Sequence, residues 1–425
     1  MSRLTSMGAA TAAALLMLAG TLPAHSAHPH PAVVSEDPQN ETAELVATSA
    51  IPEPRVDALA AGNGTLYLGG LFERLQDPRG SYLRDNLAAV DEATGQVTPF
   101  SVTLDGQVYA LATRGSDLYV GGDFATVNGV QRPSLVKINT ETGLVVPQFT
   151  PVLDGRVNAL QVAKGRLFVG GTFDKRLTAL DLTTGADDRY VRLGITGTVP
   201  DSSGVTSVVD VAVSPTGRRL VAIGNFTTVS GAGRQRAFMA SLRKGRAALS
   251  AWYYPPLRSR CRTVNPDRQA YLTDVDFAPD GSYFVLVSTG YVPAVPRDIG
   301  RTVCDAAARF ETGEFDPRRP TWINYTGGDT LTSVAATTAA VYVQGHNRWL
   351  NNPYGEDSAG TGAVDRLGIG AIHPESGRAL AWDPDKPAER GGRAFYASAT
   401  GLWVGSDSMR FGGEAHHGLA FAPLP

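Results

Sequence analysis

An excess of charge of either sign is the first thing this chain lacks. It holds 38 basic and 41 acidic residues, a formal net charge of −3, and charged residues are only 19% of the whole. A nucleic-acid binder normally carries a basic field to meet phosphates, so that partner class is not expected. The chain has no Cys-x-x-Cys, His-Glu-x-x-His, Gly-x-Ser-x-Gly or phosphate-loop spacing. The common local signatures of metal, serine-nucleophile and nucleotide chemistry are therefore missing. Enzymes whose sites are assembled from scattered loops stay open. Beyond residue 27 no apolar run is long enough to span a bilayer.

The first 27 residues read as an export signal. Arg3 gives a positive start, the apolar stretch at 9–22 follows, and Ala24-His25-Ser26 offers small residues at the cleavage positions. A secreted, soluble protein is expected, with 28–43 a flexible polar lead-in and 44–425 the folded part. Export also decides how the two cysteines are read. Cys261 and Cys304 are expected to form a disulfide, since an oxidising compartment preserves one.

Glycine is abundant, with 47 among 425 residues, against a usual level of roughly 7%. A Gly-Gly pair follows an apolar strand in "LYLGGLF" (66–72), "LYVGGDF" (118–124) and "LFVGGTF" (167–173). Upstream of each pair lies another short strand, "VDAL", "VYAL" or "VNAL". Downstream come a polar loop, a strand ending in a Thr-Gly turn, and a last strand carrying an aromatic. The unit has four strands, a period near 50 residues and no helical periodicity. Looser copies continue from 211 to 424, with Trp252, Trp322 and Trp382 where the early units have Phe.

Such repeats predict an all-β fold, a seven-bladed β-propeller of four-stranded antiparallel blades. The glycine pair is expected where the second strand meets neighbouring backbone too closely for a side chain. Phe72, Phe124, Phe173 and Phe226 should fold back between blades. The last unit lacks a fourth strand, and residues 44–54 are expected to supply it by pairing with 418–424.

"LYVGGDF", "TWINYTGGDTLTSV" (321–334), "HNRWLNNPYGEDSAG" (346–360) and the tail 402–424 resemble a family of secreted actinobacterial proteins with delta-60-type propeller repeats. The resemblance implies fold and export, and brings no catalytic residues. The plan is also similar to kelch and WD40 propellers, although a Trp-Asp pair occurs here only once, at 382–383.

Loop lengths point to one face. Connections between strands one and two, and three and four, are short and uniform. Those between strands two and three, and from one unit to the next, are long and irregular, as at 71–85, 258–272, 288–302 and 346–366. Long loops on a rigid scaffold tend to carry function. Candidate binding residues on that face are His346, Arg348, Trp349, Asn352, Tyr354, Asp407, Arg410, His416 and His417. Flat aromatic area among Asn and Arg suits a sugar or peptide, while the plainer reading has Trp349 and Tyr354 pinning their loop. "DVDFAPDG" (274–281) superficially suggests a calcium loop, but reads as a strand and a hairpin turn.

The expected function is a secreted, monomeric, non-catalytic propeller without metal or cofactor. It would bind an extracellular glycan or protein through its long-loop face. The alternative is a secreted lyase, hydrolase or metal-dependent oxidase that draws His346, His416 and His417 together.

Overall fold

The computed structural model describes residues 28–262, 269–388 and 391–425. The expected export signal lies outside the described residues. The structure is built from antiparallel strands, with two short 3-10 turns at Pro255–Arg258 and Pro296–Asp298.

The repeat units fold as successive sheets. Sheet one holds Arg55–Gly62, Thr65–Leu71 and Leu87–Asp91; sheet two holds Gln107–Arg114, Asp117–Asp123 and Leu135–Asn139. Sheet three holds Val157–Ala163, Arg166–Gly171 and Leu177–Asp181. Sheet four holds Ser207–Val213, Arg219–Asn225, Ala237–Leu242 and Ala247–Leu249. Sheet five holds Leu272–Phe277, Tyr283–Ser288, Ala306–Glu311 and Trp322–Tyr325. Sheet six holds Leu331–Ala336, Val341–Gly345 and Ile369–Ile372; sheet seven holds Gly392–Ala397, Gly401–Ser406 and Leu419–Pro423. The first strand of each sheet packs against that of the next, and Gly392–Ala397 packs against Arg55–Gly62. All of these first strands line one central channel.

Fourth strands are less regular than the repeat predicts. In sheets one, two, three and six the fourth segment makes a single bridge: Val90 with Val97, Ile138 with Val145, Leu180 with Asp187, and Ile372 with Ala379. Pro99 and Pro147 follow closely in two of these segments, and proline cannot donate to a ladder. The aromatic anchors of the fourth segments in sheets two, four, five and six are in place. Phe149, Trp252, Trp322 and Trp382 are buried, and Tyr119, Phe284 and Tyr342 meet Phe149, Trp252 and Trp382 edge-on.

The glycine pairs sit where contact forbids a side chain. A Cβ on Gly121 would lie 2.4 Å from Val157 Cγ1 of sheet three, and one on Gly122 would lie 2.2 Å from the Gln107 carbonyl. Gly69 and Gly70 stand in the same way against Val108 and Arg55. Phe72, Phe124, Phe173 and Phe226 are all buried.

The amino-terminal expectation needs correction. Residues 44–54 do not pair with 418–424 as an outer strand; Glu44–Leu45 pairs with Arg74–Asp77 of the first long hairpin. The segment beside Leu419–Pro423 is 35–39, where Ser35 N donates to Pro423 O and Gln39 N to Phe421 O, both at 2.8 Å. Instead of hanging free as a lead-in, this segment packs against the fold. Val34 is buried and donates to Tyr342 Oη, Ser35 O accepts from Trp382 Nε1, and the buried His30 ring bonds Ser398 O. An outermost segment needs only one hydrogen-bonded side, so Pro38 does not disqualify it.

Candidate functional site

The loops of the long-loop face are held by their own polar groups. Asp105 Oδ1 accepts from Ala125 N and Thr126 N, and Asp154 Oδ1 accepts from Asp174 N. Cys261 and Cys304 are bonded, with Cα atoms 5.8 Å apart. They tie the link before sheet five to that sheet's long loop, as expected.

The 346–366 loop is fixed from within. Arg348 pairs with Asp329 at 2.7 Å and Asp357 at 3.0 Å, and its guanidinium lies 4.5 Å from the Trp349 ring. The hydrogen bond to Asp329 holds the Arg348 pKa above its ordinary value. Asn352 is buried: its Nδ2 donates to Thr326 O and Ser358 O, and its Oδ1 accepts from Gly360 N. Tyr354 stands 68% exposed. Asn352 and Arg348 clamp the loop, Trp349 is half-buried under Arg348, and the free aromatic face belongs to Tyr354.

The histidines do not gather. His416 is buried, with Nδ1 at 3.1 Å from Thr42 Oγ1 and Nε2 at 3.9 Å from Glu414, and burial lowers its pKa. His346 is exposed, with its ring beside Gly391. His417 is half-buried, and its carbonyl accepts from Leu45 N. Among the described residues no group of three His, Cys, Asp or Glu side chains is placed to hold a metal ion. Arg410 is exposed and its guanidinium bonds Gly413 O. Asp407 lies 3.8 Å from Arg393, with Oδ1 buried and bonded to no described residue. Nearby, Lys386 is buried with its ammonium on Gly368 O, and burial lowers its pKa to about 8.

A second set of residues was not singled out from the sequence. Every first strand carries a one-residue bulge at the same register: Val56/Ala58, Val108/Ala110, Val157/Ala159, Val208/Asp210, Leu272/Asp274, Leu331/Ser333 and Gly392/Ala394. A bulge re-aims one side chain away from the pleat. The re-aimed residues are Asp57, Tyr109, Asn158, Val209, Thr273, Thr332 and Arg393, and all line the central channel. Each is partly accessible while the residue before it is buried. The sequence signal was the variable second letter of "VDAL", "VYAL" and "VNAL".

These side chains meet at one mouth of the channel. Asp57 accepts from Gln107 Nε2 at 2.6 Å and lies 3.4 Å from Arg55 and 3.9 Å from Arg393. Burial raises its pKa, against the pull of the two arginines. Tyr109 Oη donates to Gln107 Oε1 at 3.0 Å, and Arg156 covers the Tyr109 ring at 4.9 Å. Asn158, Thr273 and Thr332 instead reach carbonyls of the next first strand, at Val208, Leu331 and Gly392. Those three staple neighbouring sheets. Arg55, Asp57, Gln107, Tyr109, Arg156 and Arg393 form a mixed-charge cluster around a phenol.

Deeper in the channel wall lie Asp210, Asp274 and Asp276. Asp210 Oδ2 accepts from Val275 N, Asp274 Oδ2 from Val334 N and Asp276 Oδ2 from Ala336 N, so each carboxylate bridges to the next sheet. Burial and the neighbouring Asp210 push the Asp274 pKa well up, and burial takes Asp276 up to about 7. Asp280 caps the following hairpin through Ser282 N. The sequence 274–281 thus serves backbone and sheet contacts.

No protein-family model and no curated protein matches the chain. Among solved structures it is similar to the WD40 repeats of RRP9, with 10% identity over 92% of this chain and 99% of that one, TM-score 0.54. Two weaker likenesses are the computationally designed Ika8 protein (13% identity, 90% of this chain and 98% of that one, TM-score 0.47) and the β-propeller domain of Myceliophteria thermophila Cps50 (Swd1) (11% identity, 76% and 82%, TM-score 0.41). At such identities only the fold carries over, and the fold of this chain is a β-propeller.

Proposed function

We propose that this protein is an exported, non-catalytic seven-bladed propeller that binds an extracellular glycan or protein through its long-loop face. Its ring is completed where the segment 35–39 joins the outer side of the last blade, and it belongs with the actinobacterial delta-60-repeat proteins its sequence resembles. One observation carries the reading. The same bulge recurs in every first strand while the residue it presents changes from Asp57 to Tyr109 to Arg393. A constant frame with variable side chains at one mouth is how a scaffold sets specificity. Tyr109 under Arg156 supplies a flat apolar surface, Asp57 and Arg393 supply fixed charges, and Tyr354 stands exposed on the loop 346–366. The disulfide agrees with export.

The test is a screen of the purified protein on a glycan array and against extracellular proteins, beside Tyr109→Ala and Arg393→Ala. Ligands lost in both variants support the reading. Ligands kept by both place recognition elsewhere.

A further inference from the structure

The short-turn side of sheet four carries a basic groove that the long-loop face does not involve. It is lined by Arg218, Arg219, Arg243, Ser241, Ser250 and Phe315, among others, and encloses about 440 Å³. Arg219 is oriented twice: Nη1 donates to Ser241 Oγ at 2.7 Å, and the guanidinium lies 5.3 Å from the Phe315 ring. Phe315 is 38% exposed, so one ring face forms a wall of the groove.

The charge extends past the groove. Arg243 and Arg246 share a turn with Lys244, and Leu242 N bonds Arg218 O. Tyr190 Oη donates to Arg243 O at 2.7 Å, which brings Arg189 and Arg192 alongside. All of these cations except Arg219 are exposed. The nearest carboxylates on the Tyr190 side are committed, Asp187 to Lys175 and Asp188 to Arg166. Glu314 and Asp316, on either side of Phe315, are the acids at the groove's other lip. On a chain of net charge −3, a concentration of cations on one edge is a local electrostatic feature, not a consequence of composition.

We infer that this groove binds an anionic polysaccharide, with the arginines taking carboxylate or sulfate groups and Phe315 packing against a sugar ring. Planar guanidinium groups pair with both kinds of anion in bidentate fashion. An aromatic wall beside them suits a sugar face. A nucleic acid fits less well, because its evenly spaced phosphates call for a longer basic stripe than one edge of one sheet. The groove is independent of the channel mouth, and either site can fail without the other.

The test uses the full chain in binding assays with heparin, polygalacturonate, neutral dextran and a single-stranded DNA oligonucleotide. Variants are Arg243→Glu with Arg246→Glu, and Phe315→Ala, each checked for an unchanged melting temperature, with Tyr109→Ala as a control for the opposite face. Binding to heparin or polygalacturonate that falls as salt rises is expected. It should weaken by about tenfold in the double charge reversal, weaken in Phe315→Ala, and persist in Tyr109→Ala. Heparin alone would identify sulfate as the recognised group, and both polymers would identify anionic sugar in general. Absence of binding to either polymer, equal binding to DNA, or affinity unchanged by the charge reversal would overturn the inference.

Discussion

At the scale of single residues, glycines and buried acids set the limits of the fold. A methyl on Gly122 would meet the Gln107 carbonyl at 2.2 Å and the Val108 Cα at 3.1 Å, backbone atoms that cannot yield. Gly122→Ala is expected to cost about 1–3 kcal/mol, read as a lowered denaturation midpoint with ligand binding intact in the folded fraction. Asp274 and Asp276 make a different demand. Both take up a proton on folding, since their folded pKa values are raised above those of an unfolded chain. The stabilisation from their protonated forms is complete below about pH 4, the unfolded aspartate value. It is lost as pH rises through the folded values, about 7 for Asp276. Asp274→Asn replaces the proton with an amide facing Asp210. Chemical denaturation at pH 5 and pH 8 should show a smaller loss of stability with pH in this variant than in the parent. An equal loss would contradict the placement of the acid pair.

At the scale of elements, the parts read well from sequence were those under a repeating constraint. Strand pairs around the glycines, the Thr-Gly turns and the buried Phe after each glycine pair recur because every sheet meets the same neighbours. The disulfide was anticipated from an expected export signal and a count of two cysteines. Its removal by Cys261→Ser is expected to cost about 4 kcal/mol for a loop of 43 residues, measured by denaturation with and without reductant. The misread part lay outside the repeat. "ELVATSAI" is mostly apolar and free of proline, as a strand would be, while "HPHPAVVSEDPQ" carries the prolines that usually argue against one. The place beside Leu419–Pro423 nonetheless went to the proline-bearing segment, whose outer edge owes no hydrogen bonds. Val34→Asp would place an unpaired charge against Tyr342 and Trp382. It should destabilise the protein by about 3–5 kcal/mol, while substitution of exposed Ile51-flanking Ala50 should have no effect on the melting temperature.

At the scale of the whole molecule, the candidate surface was half legible. Loop length pointed to the same face as the channel mouth, and the clamp built from Arg348 and Asn352 explains why those residue types crowd the longest loop. The channel mouth is legible only when equivalent positions are compared between repeats, as at the second letter of "VDAL", "VYAL" and "VNAL", because a bulge leaves no mark within a single strand. His416 drew notice by chemistry alone, and its place is a buried contact with Thr42. The measurement that bears most directly on the central claim is hydrogen exchange of the protein with and without a ligand taken from the array screen. Protection is predicted at 55–58, 107–110, 392–394 and 346–358, around the channel mouth and its longest loop. Protection confined to the short turns of the opposite face, with these segments unchanged, would contradict it.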